Sequence, residues 1–127
     1  MNHDLVMQVK DHSKGIFCIH VPLYDTGMDL TIYLDKDLKY QHAGQPIEGP
    51  VGNHAVSMII AKYQPLITLH GHIHESRSFY KWGRTLCFNP GSEYGEGKLR
   101  GLIVILNRQR WKPTVHLGIR PRRVQIA

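Results

Sequence analysis

No stretch of this chain is apolar for the ~20 residues needed to span a bilayer; the longest run is Leu102–Leu106. The first residues, Met1-Asn2-His3-Asp4, hold neither a basic nor an apolar region, so no secretory signal is expected. Cysteine is scarce. Cys18 and Cys87 stand far apart inside apolar runs, which excludes a disulfide scaffold and points to reduced core residues in a cytoplasmic protein. Acid is missing from residues 98–127, which carry 8 Lys and Arg, whereas residues 1–97 hold 8 Lys and Arg against 10 Asp and Glu. A basic segment of this kind raises nucleic acid as a partner. Only Arg120-Pro121-Arg122-Arg123 is clustered, however, and a solvated tail accounts for the rest.

What remains is a globular composition in 127 residues, 42% hydrophobic with 12 glycines, the size of one domain spanning 1–127. Residues 4–12 read as the end of a helix, broken at Ser13-Lys14-Gly15. Ile16–Ile19 is a short strand that leads to His20 and stops at Pro22. Asp29–Leu34 is a second strand, entering a polar surface loop over 35–50. Asn53 can cap a helix whose Ala55, Val56, Ile59, Ile60 and Tyr63 fall at helical spacing, and Pro65 ends it. Leu66–Leu69 is the next strand, and strand, helix-bearing connection, strand is the pattern of a crossover between parallel strands. Ser78–Tyr80, Thr85–Phe88, Leu102–Leu106 and Thr114–Ile119 complete a mixed α/β (α+β) chain with β hairpins toward its C-terminus. Leu102–Leu106 is apolar on both faces and predicts a central, covered strand; Thr114–Ile119 alternates and predicts an edge.

Nine histidines are many for this length, and three fall in Leu69-His70-Gly71-His72-Ile73-His74. In extended backbone, His72 and His74 point the same way with Cα atoms about 6.6–6.8 Å apart, a spacing that suits a metal. His20 sits at the carboxyl end of a predicted parallel strand, the edge where ligands gather in open α/β sheets. Three neutral imidazoles suit zinc, manganese or iron better than magnesium or calcium. The plainer alternative is that these are polar surface residues at loop mouths. His70 reads as packed or exposed, or as a donor behind the ligands. Asp25, Asp29 and Glu75 read singly as solvated acids, although each could orient a ligand imidazole.

Phe17-Cys18-Ile19-His20-Val21-Pro22, then Gly71-His72-Ile73-His74-Glu75-Ser76, then Asn89-Pro90-Gly91-Ser92 together resemble the calcineurin-like metallophosphoesterase superfamily, in matching order and over nearly the whole chain. The resemblance implies part of a β-sandwich flanked by helices, and hydrolysis of phosphomonoesters or phosphodiesters at two divalent transition-metal ions (Mn, Zn or Fe). It implies that His20 and His72 ligate one ion and His74 the other, while Gly71, Asn89, Pro90 and Gly91 shape the site. No residue stands out as catalytic in its own right.

The family's earlier blocks, Asp-x-His, Gly-Asp and a Gly-Asn-His followed by an acid, have no counterpart before His20. Gly52-Asn53-His54 is no substitute, because it follows His20, precedes Ala55 and fits a helix cap. The chain is therefore expected to correspond to the C-terminal half of such a domain, holding one ion or none alone. Its expected partners are a phosphate ester and either an N-terminal half chain or a second copy of itself. A non-catalytic metal- or partner-binding module is the alternative, and a basic nucleic-acid-binding domain a more distant one.

Overall fold

The helix forms where its punctuation stands. Asn53 Oδ1 accepts the Val56 N–H at 3.1 Å, capping α1 (His54–Tyr63). Val56 and Ile60, one turn apart, are buried on its inner side. Gln64 then turns into the left-handed region at φ 45 and its N–H closes on Ile60 O, immediately ahead of Pro65. The computed structural model describes residues 6–34, 36–39, 41–107, 113–117 and 123–124. Its strands are β1 (Ile16–Cys18), β2 (Leu30–Ile32), β3 (Gln41–His42), β4 (Gln45–Pro46), β5 (Glu48–Pro50), β6 (Ile67–Leu69), β7 (Ser78–Trp82), β8 (Thr85–Asn89), β9 (Leu102–Leu106), β10 (Pro113–Leu117) and β11 (Arg123–Val124).

The main sheet has the order β1-β6-β8-β7. β1, β6 and β8 run parallel, and β7 pairs antiparallel with β8 through a tight hairpin. The expected parallel pairing of the first strand with the strand after the helix is thus present, in the register Ile16–Ile67 to Cys18–Leu69. A second sheet, β11-β10-β9, is antiparallel; the strand expected over Asp29–Leu34 is present as β2, and its partner β5 together with the small β3-β4 ribbon lies in the segment read as a polar loop.

Strand alternation splits the core between the two faces of the main sheet. Ile67, Leu86 and Phe88 point to one side, where they meet Val115 with Leu102 and Val104 packed alongside. Cys87 points to the other, against Val56, Ile60, Leu23 and Met28. The result is a mixed α/β architecture, mostly strands: a helix and loop layer, the four-stranded sheet, and the three-stranded sheet over its far face.

Three expectations are corrected. β9, expected to be central, is an edge strand of its sheet, and β10, expected at the edge, lies in the middle. Leu102 and Val104 face the core, but Ile103 and Ile105 are 60% and 55% exposed, so apolar residues on both faces did not mean cover on both. Cys18 is also exposed, because β1 is an edge strand, whereas Cys87 is fully buried as expected.

Burial pushes the Cys87 thiol up to about 11, which leaves almost no thiolate at neutral pH. One thiol per native chain, Cys18, is therefore expected to react within minutes with a maleimide at pH 7.5, and the second only after denaturation. Two equally fast thiols in the native protein would contradict this packing.

Among the described residues, no helix is long and apolar enough to cross a membrane. Residues 4–5 of the expected first helix, Gly118 and Ile119 of the last expected strand, and Arg120-Pro121-Arg122 of the basic cluster lie outside the described residues.

Candidate metal centre

The carboxyl ends of β1, β6 and β8 carry, in order, His20, the His70–Ser76 turn and the Asn89–Ser92 turn. Three neighbouring parallel strands thus deliver His20, the Gly71–His74 segment and the Asn89–Gly91 turn to one end of one sheet. His20 and His72 meet there with ring centroids 5.2 Å apart at 74°. Gly71 ties the two strand exits together: its N–H donates to His20 O at 2.9 Å, and its Cα side faces the His20 ring, where a Cβ would make ordinary contact with Nδ1 at 3.5 Å.

The backbone between the histidines is not extended. His72 has φ 63, and Ile73 N–H donates back to Gly71 O at 2.7 Å, which closes a γ-turn around His72. Ser76 N–H then donates to Ile73 O, placing His74 and Glu75 at the corners of a second turn. The extended backbone assumed between His72 and His74 is replaced by these two turns. A non-glycine residue held at positive φ costs about 1–3 kcal/mol and persists only where its surroundings fix it. Asn89 supplies the fixing: wholly buried, it donates through Nδ2 to Ile73 O at 2.9 Å and to Met28 O at 3.0 Å, and accepts Gly91 N–H at 2.9 Å.

Gly91 and Pro90 complete the second wall. Gly91 sits at φ 69, where a Cβ would fall 2.7 Å from His74 O, and Ser92 N–H donates to that same oxygen at 2.9 Å. Gly91→Ala is expected to lower stability by about 2 kcal/mol through strain and this clash. A urea unfolding midpoint unchanged from the wild type would contradict it.

His74 lies apart from the His20–His72 pair, edge-on to the exposed Tyr94 at 5.7 Å. It opens onto a cleft of about 430 Å³ lined also by Arg77, Pro90, Ser92, Glu93 and Arg100. The Arg100 guanidinium, bonded to Glu93 at 2.9 Å through Nε, holds that carboxyl below the usual range. Tyr94, Arg77 and Arg100 carry no motif, and only their nearness to the Asn89–Ser92 turn could have pointed to them.

The acids near the histidines have structural duties. Asp29, read as a solvated acid, is completely buried: Oδ2 accepts N–H from Asp25 at 2.8 Å and from Gly52 at 2.9 Å, and Oδ1 accepts from Thr26 at 3.1 Å. Glu75 is exposed and bonded to Thr31 Oγ1, which holds its carboxyl below the usual range. His54 stacks on Tyr24 at 3.9 Å behind the Asn53 cap.

Two imidazoles bound to one tetrahedral ion through bonds of ~2.0–2.1 Å have centroids roughly 5 Å apart, so the 5.2 Å separation of His20 and His72 is compatible with a shared ion. Among the described residues, no three His, Cys, Asp or Glu side chains gather closely enough to hold one by themselves. The pair offers two positions and leaves the others open. Comparison with protein-family models, curated proteins and solved structures finds no match to this chain.

Proposed function

We propose that this chain carries the histidine-bearing side of a metallophosphoesterase-type centre, in which His20 and His72 hold a divalent transition metal and a phosphate ester is hydrolysed. The observation that carries it is the pairing of His20 with His72 at the carboxyl edge of a parallel sheet, on a strained turn that Asn89 and Gly91 lock. These are the residues that also carry the sequence resemblance to calcineurin-like metallophosphoesterases. The sandwiched sheets with a helix on the outer face agree with the fold that the resemblance implies.

A bound metal would supply charge neutralisation and an acidified water for attack at phosphorus. The chain's own residues orient and confine. Gly71 brings His20 against the β6 exit, the γ-turn aims His72 across to it, and the Asn89–Ser92 turn fixes where His74 leaves the sheet. The cleft beside His74 gives an ester substrate room, with Arg77 and Arg100 set against Glu75, Glu93 and Glu96 in its wall. Carboxylate ligands would come from a segment or partner that supplies the missing Asp-x-His and Gly-Asp blocks.

A second reading is favoured by those missing blocks and by the two-member cluster: a metal-binding module without turnover. Hydrolysis of bis(p-nitrophenyl) phosphate and p-nitrophenyl phosphate with and without Mn²⁺ separates the two. Mn²⁺-dependent turnover that falls at least about 100-fold in His72→Ala supports the esterase. Metal uptake without turnover supports the module, and absence of metal uptake contradicts both.

A further inference from the structure

His70 and Gly71 together hold three successive carbonyls of the β1 exit. His70 Nδ1 lies 2.8 Å from Ile19 O and 3.0 Å from Val21 O, and Gly71 N–H donates to His20 O at 2.9 Å. The two oxygens at Nδ1 therefore belong to the residues on either side of His20. Carbonyl oxygens only accept, so Nδ1 carries a proton shared between them. The other nitrogen, Nε2, lies 2.8 Å from Thr68 Oγ1, which is completely buried. With Nδ1 protonated, a neutral ring leaves Nε2 as the acceptor of the Thr68 hydroxyl proton. The ring is itself only 6% exposed, and its backbone N–H is anchored to Phe88 O at 2.8 Å on the next strand. Buried, and with one ring nitrogen spent on backbone oxygens and the other on the Thr68 hydroxyl, His70 has no ring nitrogen left for a ligand.

We infer that His70 is the positioning residue for His20: an Nδ1-protonated imidazole that clamps the peptides flanking His20 and so sets its approach to His72. This rests on the metal-centre reading for its purpose but not for its geometry. A merely space-filling histidine would be replaceable by an apolar side chain of similar size. A clamp needs a donor where Nδ1 stands, which the amide nitrogen of asparagine supplies and leucine does not.

The test compares wild type, His70→Asn and His70→Leu as full chains, by long-range ¹⁵N–¹H spectra of the imidazoles and by Zn²⁺ titration. In the wild type, His70 is expected as the Nδ1–H tautomer, with a nuclear Overhauser contact between the His20 and His72 rings. His70→Leu is expected to lose that contact and to weaken Zn²⁺ binding about tenfold or more, in the range seen when a ligand's supporting hydrogen bond is removed. His70→Asn should stay within about threefold of wild type. An Nε2–H tautomer in the wild type overturns the inference, and so does a His70→Leu protein that keeps both the contact and the affinity. Should His70→Leu fail to fold, the wild-type tautomer and the His70→Asn affinity decide. Should the wild type take up no Zn²⁺, the metal-centre reading fails on its own, and the tautomer and ring contact still judge the clamp.

Discussion

Replacing Asp29 by alanine is expected to lower the free energy of unfolding by about 3–5 kcal/mol, a large share of what a domain of this size possesses. Its carboxyl group takes three backbone N–H groups, from Asp25, Thr26 and Gly52, in a fully buried setting. Each buried donor left without a partner costs about 1–3 kcal/mol, and alanine abandons all three at once. Asp29→Asn should lose roughly half as much, about 2 kcal/mol, since one amide oxygen can still accept while the NH₂ faces a donor. Urea unfolding of the three proteins measures this directly. A loss below about 1 kcal/mol for the alanine variant would show that the loop is not held in this way. The same three bonds tie the segment after His20 to the residues ahead of α1, so the alanine variant should also blur the His20 resonances.

Metal affinity is expected to divide the three candidate histidines unequally. His20→Ala and His72→Ala should each weaken binding of Zn²⁺ or Mn²⁺ by more than about 100-fold, because each removes one of two ligands whose rings already face each other. His74→Ala should stay within about threefold for the first ion, since His74 lies apart, against Tyr94 and the cleft. Calorimetric titration of the single variants reads this contrast. Equal losses at all three positions would mean that the His70–Ser76 turn rearranges around the ion, and that the γ-turn at His72 does not survive binding.

Much of this architecture is written in local signals. Asn53, the spacing of Val56 and Ile60, and Pro65 fix the helix to within a residue. The apolar runs locate β1, β6, β8 and β9, and the helix between β1 and β6 accounts for their parallel pairing. His20 and His72 come together because parallel strands must leave the sheet on the same side. The ribbons at Gln41–His42, Gln45–Pro46 and Glu48–Pro50 escape notice because they are short and polar, with no apolar face to mark them.

Other features depend on contacts too distant to leave a pattern. His70 reaches carbonyls 49 and 51 residues away, and nothing around it distinguishes a clamp from a ligand. Asp29 looks like a surface acid because its partners are backbone groups of three different loop residues. The left-handed turn falls on His72 itself, although Gly71 beside it is the residue that sequence reasoning would choose for such a turn. The exposure of Ile103 and Ile105 is invisible for a related reason: hydrophobicity marks what can be buried, and only the tertiary arrangement decides which face is covered.

The most direct measurement is the number of metal ions retained per chain, determined by elemental analysis after Mn²⁺ or Zn²⁺ loading and exhaustive dialysis. It should be made on the wild type and on the His20→Ala/His72→Ala double variant. One ion in the wild type and none in the double variant is the predicted result. No ion in the wild type, or an ion that persists when both histidines are gone, would contradict a metal centre built on this pair.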